Sequence, residues 1–275
     1  MDKIQSLGFV INQSKAGAQE IAEKLGSIAR AANRETRLTS QYPVPDSFFD
    51  EIDACCAIGG DGTLLGVAPL AAKKGAKVIG VNLGTLGFLV TFTPEEILRA
   101  FQQILDGDYA VAPRTLIQAE NSQGIVESGL NDVIIREAEA RLILIEVSAG
   151  GFPITNYSCD GLIFSTPSGS TAYNLSAGGP IVHPETDSIG MTPICPHTLS
   201  NRGLVLPGSM HLSVRVISTT AHPFFTIDGR PVFKDQGHQP LKICLSPDRL
   251  QLVHLRHYDY FETLRNKLAW GRGNR

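Results

Sequence analysis

Four residues carry the first chemical hint. Gly59-Gly60-Asp61-Gly62 follows the apolar run Cys55-Cys56-Ala57-Ile58 and precedes a helix-like stretch. Glycines between a strand and a helix let backbone amides approach a phosphate, yet a carboxylate among them repels one. Two readings are open. One is a tight turn in which glycine supplies unusual dihedrals and Asp61 caps the helix. The other starts from the place, the carboxyl end of a parallel strand, where ligands bind in open α/β sheets. There a carboxylate suits phosphoryl transfer, accepting the proton of an attacking hydroxyl or holding Mg²⁺. The loop has no G-K-[ST] and is not G-x-G-x-x-G, so it is neither a Walker loop nor a dinucleotide fingerprint.

Three more stretches hold candidate groups. In 82–89, "NLGTLGFL", Gly84 and Gly87 allow close backbone approach, and Phe88 is either a core side chain or a surface for a flat ring. Asn131-Asp132 lies between strand-like segments, as a turn or as a polar pair for ribose hydroxyls. The richest stretch is 159–182, "CDGLIFSTPSGSTAYNLSAGGPIV". Ser165, Thr166, Ser168, Ser170 and Thr171 fall close together, with glycines and Tyr173 among them. Hydroxyls and backbone amides beside an aromatic suit a nucleotide; a flexible surface loop is the alternative, and the flanking apolar residues speak against it.

Other chemistries are disfavoured. None of the seven histidines is paired at a metal-ligand spacing, so no zinc site is expected. Ser165 is outside any G-x-S-x-G elbow, which speaks against a serine hydrolase. Five cysteines, Cys55, Cys56, Cys159, Cys195 and Cys244, include no C-x-x-C, and the expectation is reduced, buried thiols in a cytoplasmic protein. A net charge of -3 gives no footprint for nucleic acid or an anionic membrane. No apolar run reaches spanning length, and the first residues lack the long apolar core of a signal peptide.

The elements that must position these groups change character along the chain. Residues 4–11 read as a strand, and Ala18, Ile21, Ala22, Leu25, Ile28, Ala29 and Ala32 mark one face of a helix. "DACCAIG" and "AKVIGVN" are buried strands, with a helix between them that Pro69 weakens or kinks. Thr93-Pro94-Glu95-Glu96 is a capping box with proline at the first helical position. Alternating strands and helices predict a parallel sheet. After Pro113 the segments "RTLIQAE", "GIVESGLNDVIIR", "ARLILIEVSA", "FPITNYS", "MHLSVRVIS", "PFFTIDG", "PLKICLS" and "RLQLVHLR" are all strand-like. The fold class is therefore an α/β N-terminal domain, 1–112, and an all-β C-terminal domain of layered sheets or a sandwich, 113–256. A final helix, 257–275, returns to the first domain.

Taken in order, "GGDGTLL", "NLGTLGFL", "ND", "DGLIFSTPSGSTAYNLSAGGPIV", "CPHTLSNRGLVLP" and "YFETLRNKLAW" resemble the NAD kinase family from about residue 53 onward. "GGDGT" alone is shared with lipid kinases of the diacylglycerol and sphingosine type; the long serine-rich stretch is far more specific. The resemblance implies ATP as donor, a divalent metal (Mg²⁺), NAD as substrate, and transfer to the 2′-hydroxyl of the adenosine ribose. It also implies a homo-oligomer, tetramer or dimer. By that likeness Asp61 takes the ribose proton and Gly62 lines its loop. Phe88 touches the dinucleotide, and Asn131 and Asp132 hold sugar or adenine atoms. Asp160 takes the nicotinamide end. Ser168, Thr171, Ala172, Tyr173 and Ser176 line the adenosine pocket, Asn174 and Leu175 also bind the substrate, and Arg141 approaches the dinucleotide. Ser158 stands where many relatives carry Lys or Arg, and Arg230 where many carry Gln; both bear on charge beside bound phosphates. A lipid kinase and a non-catalytic NAD(P) sensor are the alternatives. The first lacks a basic patch or membrane helix; the second does not explain Asp61 in its glycine frame.

Overall fold

The computed structural model describes residues 3–84, 87–90, 92–137, 142–198, 200–218, 222–234, 236–256 and 258–270. The chain divides into two compact units, 1–113 with 250–275, and 114–249.

The first unit alternates β1 (Ser6–Ile11), α1 (Ala18–Ala31), β2 (Glu35–Thr39), β3 (Ala54–Gly59), α2 (Asp61–Lys74), β4 (Lys77–Asn82) and α3 (Pro94–Leu105). Its strands run parallel in the order β2-β1-β3-β4. Every residue of β1 and β3 is buried, which is what helices on both faces of a parallel sheet demand. Phe9, Leu25, Ile58, Phe92, Phe101 and Tyr109 centre the core. Thr93 Oγ1 accepts from the Glu96 amide at 3.2 Å and Glu96 returns the bond to the Thr93 amide at 2.8 Å, so the predicted capping box opens α3. Pro69 sits inside an unbroken α2, whose buried Leu64, Val67, Ala68, Ala71 and Ala72 offset one missing backbone bond.

The second unit draws on β5 (Ala110–Glu120), β6 (Val126–Gly129), β7 (Asp132–Glu137), β8 (Ile143–Ala149), β9 (Phe152–Cys159), β10 (Gly161–Ser165), α4 (Tyr173–Ser176), β11 (Ser188–Ile194), β12 (Leu204–Pro207), β13 (Leu212–Val216), β14 (Pro223–Ile227) and β15 (Arg230–Val232). A long strand, β16 (Leu241–His254), gives its first part to this unit and its last five residues to the first, where Gln251 and Leu252 pair in parallel with β4. The closing helix α5 (Tyr260–Leu268) also belongs to the first unit. One sheet of the second unit is antiparallel in the order β12-β11-β10-β7-β14-β15. Val133, Ile135, Leu162, Phe164, Met191, Phe225 and Ile227 share one of its faces and enter the core.

Within "GIVESGLNDVIIR", β6 and β7 lie in different sheets, parted at Leu130-Asn131. One expectation is corrected. The cysteines are not uniformly buried: Cys55, Cys56 and Cys159 are, Cys244 is half-buried, and Cys195 is exposed in a bend just beyond β11 with φ 45°. Burial pushes the Cys55 thiol up to about 12, so it stays protonated and inert.

Candidate functional site

In the first unit Asp61 is the first residue of α2, but it is not the cap. The N-cap is Gly60, without a side-chain bond. The carboxylate turns instead to the loop after β4: Oδ2 accepts from the Phe88 amide at 3.1 Å, and Oδ1 from those of Val90 at 3.1 Å and Leu89 at 3.4 Å. Bonds from backbone N–H to a carboxylate are of the stronger, charge-assisted kind, and a negative group suits a helix N-terminus. They fix the acid in place and leave acceptor capacity on Oδ2, which takes one bond where Oδ1 takes two. Gly87 makes this possible, since a Cβ there would lie 1.9 Å from Asp61 Oδ1.

The glycines around Asp61 are not there for unusual dihedrals. Gly60 is extended, φ -174°, and a Cβ on Gly60 or Gly62 would meet nothing within 4 Å. Their bareness keeps space open beside the acid. Gly59 differs: its Cβ would press Thr63 Oγ1 at 2.3 Å. Phe88 is half-buried and receives the Lys267 ammonium of α5 at 6.0 Å from its ring centre.

In the second unit, the sheet face away from the core carries the candidate polar groups. Register places Ser165 of β10 between Gly190 and Asp132, and Ile163 between Thr192 and Ile134. Asp132 is 4% exposed. Burial, and next the charge of Asp228, push its carboxyl up to about 7. Asp228 sits at φ 48°, followed by Gly229 at 75°, in the turn of the β14–β15 hairpin, a pairing that fits a type I′ turn. Its carboxylate accepts from the amides of Leu130 and Asn131 at 2.7 Å each and of Asp132 at 3.1 Å. Burial still holds Asp228 above the usual carboxylate range, against those three bonds and the Arg230 charge.

The serine-rich stretch is a built loop rather than a flexible one. Thr166 Oγ1 donates to the Leu130 carbonyl at 2.6 Å and accepts from the Gly169 amide at 3.0 Å. A Cβ on Gly169 would lie 2.0 Å from the Asn131 carbonyl oxygen, so this glycine lets loop and strand junction touch. Ser170 Oγ donates to Pro167 O and accepts from Val182 N, tying the two ends of the loop. Asn174 braces the loop: its amide donates to the carbonyls of Ser170 and Pro180 at 3.0 Å and accepts from Thr192 Oγ1 at 2.7 Å. What remains open is the buried Ser168 hydroxyl, which has no protein partner, the half-exposed Thr171, Ala172 and Leu175, and the exposed Tyr173 and Ser176.

Asp160 is exposed, with its amide bonded to the Ile194 carbonyl at 2.9 Å. Ser158 is half-buried in β9, its carbonyl accepting from His197 N at 2.9 Å. Arg230, half-exposed, pairs with Glu127 at 2.9 Å. Arg141 lies outside the described residues. Ser165 Oγ, one of the candidate hydroxyls, is likewise buried with no protein partner; Asp228 was missed by sequence reasoning. In the sequence "PFFTIDG" reads as a strand, and only the amides of residues 130–132 reveal the use of its acid. Among the described residues no group of three His, Cys, Asp or Glu side chains is placed to hold a metal, and no helix is long and apolar enough to cross a membrane.

Comparison with known proteins bears on both units. Residues 8–109 match the model of the ATP-NAD kinase N-terminal domain and residues 130–255 that of the ATP-NAD kinase C-terminal domain. The NAD kinase of Geotalea daltonii is 41% identical over 82% of this chain and 81% of its own length. That of Citrifermentans bemidjiense is 41% identical over 93% and 94%, and that of Heliobacterium modesticaldum 36% over 97% and 99%. Among solved structures, yeast NADH kinase complexed with NADH superposes with a TM-score of 0.86 at 24% identity, covering 100% of this chain and 90% of that one. The NAD kinase from Archaeoglobus fulgidus in complex with ATP gives 0.78 at 21% identity, covering 96% and 99%. These two bear on the fold.

Proposed function

Because the chain belongs to the NAD kinase family and converts NAD to NADP, we propose that Asp61 is the base of that reaction and that ATP, as its Mg²⁺ complex, is the donor. The 2′-hydroxyl oxygen of the adenosine ribose attacks the γ-phosphorus. The bond from that phosphorus to the β–γ bridging oxygen breaks, ADP leaves, and the hydroxyl proton passes to Asp61. Such a transfer asks for positioning and charge neutralisation more than for covalent help. The observation that carries the role is the clamp of backbone amides on Asp61, which aims a carboxylate without burying it against a cation.

Mg²⁺ fits as part of the substrate. It is commonly held by one or two carboxylates and by substrate phosphates, and the described acids offer no cage of their own. NAD would be held by Asn131 and Asp132, by Asp160 at the nicotinamide end, and by Ser168, Thr171, Ala172, Tyr173, Leu175 and Ser176 around the adenosine. Gly62, Phe88 and Ser158 complete the proposed contacts.

A cytoplasmic homo-oligomer, tetramer or dimer, is part of the same reading. The edge strand β12 exposes Leu204 and Val205, and Phe152 of β9 is 78% exposed, apolar surface of the kind that a second copy covers. The test of the catalytic reading is NADP formation from NAD, ATP and Mg²⁺, read through an NADP-specific dehydrogenase, beside Asp61→Asn. Turnover by the native chain alone supports it; equal turnover by the variant refutes the base.

A further inference from the structure

Between β6 and β7 the chain leaves one sheet and enters the other, and its backbone there is held in an unusual way. In an extended strand successive amides point to opposite sides, as successive side chains do. Here three successive amides turn to one acid. Asp228 Oδ2 accepts from Leu130 N at 2.7 Å, and Oδ1 from Asn131 N at 2.7 Å and Asp132 N at 3.1 Å. Successive N–H groups that converge make a concavity for an anion, of the kind that takes phosphate in other folds. In this chain the concavity is filled from within.

The carbonyls are engaged as firmly. Leu130 O accepts from Thr166 Oγ1 at 2.6 Å and Asn131 O from Thr166 N at 2.8 Å, while Asp132 O accepts from Asp228 N at 3.1 Å. Thr166 and Asp228 thus bond every backbone N–H and C=O of residues 130–132. Space is kept for the acid as well: a Cβ on Gly129 would lie 2.8 Å from Asp228 Oδ1 and 2.4 Å from Ile227 Cγ2. The hairpin alone does not call for a carboxylate. Asn or Gly at the φ of 48° that Asp228 adopts would turn the chain equally well.

The arrangement has a use at the ligand. Asn131 and Asp132 are consecutive, and a regular strand would send their side chains to opposite faces, where one sugar could not meet both. The convergence of three amides breaks that alternation at these two residues.

We infer that Asp228 is a positioning residue for the acceptor nucleotide: its carboxylate fixes the backbone from which Asn131 and Asp132 reach one ribose. It acts through the amides and not on the substrate. The role rests on the reading above that these two residues hold NAD, and it adds the group that aims them.

The test uses the full chain. Asp228→Asn keeps the turn, since Asn accepts the same dihedrals, but it offers one acceptor oxygen in place of two and turns an NH2 toward the amides. Gly129→Ala leaves the acid unaltered and displaces it. Each variant is expected to raise the KM and the calorimetric dissociation constant for NAD about tenfold, the scale of one charge-assisted bond. The KM for ATP and kcat should stay within about twofold. A merely structural role predicts the opposite split: less folded enzyme lowers the apparent kcat and leaves both KM values alone. Circular dichroism melts place each variant above or below its midpoint at the assay temperature, and Gly129→Ala carries the test where Asp228→Asn is unfolded. Asn131→Ala runs beside them. If it weakens NAD while Asp228→Asn and Gly129→Ala do not, the positioning role is overturned and the NAD contact stands. A lowered kcat with an unchanged KM for NAD in the folded variants overturns it too. If Asn131→Ala and Asp132→Asn both bind NAD as the native chain does, the contact itself falls, and the role of Asp228 with it.

Discussion

Asp132 offers a test that needs no catalysis. It is 4% exposed, and burial with the neighbouring Asp228 charge lifts its carboxyl to about 7. If its carboxylate accepts a ribose hydroxyl, NAD binds the ionised form, and protonation competes with binding. With the midpoint near 7, roughly nine-tenths of the group is ionised at pH 8 and roughly one-tenth at pH 6. The dissociation constant of NAD should therefore rise about tenfold from pH 8 to pH 6. NAD has no group that titrates in that window, so calorimetric titration at pH 6, 7 and 8 and constant ionic strength reads the protein. Asp132→Asn should bind more weakly at pH 8 and show no slope. The same group has a stability signature of known sign. Its folded value lies above its ordinary one of 3.8, so the fold favours the neutral acid. That extra stability is fully present below about pH 4 and is lost as pH rises through about 7, a span of roughly 4 kcal/mol at most. Asp132→Asn should thus gain stability over the native chain at pH 8 and little at pH 4. A native dissociation constant that is flat from pH 6 to 8, or falls toward pH 6, would refute the role of an ionised Asp132 in holding NAD.

Three further substitutions probe the frame. Asp61→Asn should keep NAD binding within a few-fold and lower kcat by about 10² or more, the scale of a positioned base; calorimetry beside the coupled assay separates the two. Gly87→Ala should cost as much kcat without touching a substrate contact, because its Cβ would lie 1.9 Å from Asp61 Oδ1 and must displace the carboxylate; circular dichroism should show the fold kept. Asp228→Ala strips acceptors from the amides of Leu130, Asn131 and Asp132 and should cost about 3–4 kcal/mol in urea unfolding, at about 1 kcal/mol or a little more per bond.

Regular elements with a strong period were legible in the sequence. The faces of α1 and α3, the capping box at Thr93, and the change from alternating to all-β grammar after Pro113 are local signals, and the architecture follows them. What escaped was set by tertiary context. β2, "ETRLT", is a half-exposed edge strand whose charges hide its period. β11, "SIGMTPI", is almost wholly buried, yet its glycine and proline read as loop. Gly190 is there because the Ser165 hydroxyl occupies the space its side chain would need, 2.5 Å from a Cβ. The candidate site shows the same limit. The sequence displays two glycine loops, one around Asp61 and one around Gly87, as separate turns. In the fold they are one device, the acid of the first filling the place where the second has no side chain. Asn174 shows a use the sequence does not display, since its side chain ties the loop to Ser170 and Thr192. Motif spacing thus nominates the residues that would gather around a ligand. Which of them face it, and which brace those that do, depends on hydrogen-bond partners dozens of residues away, as with Asp228 and the amides at 130–132.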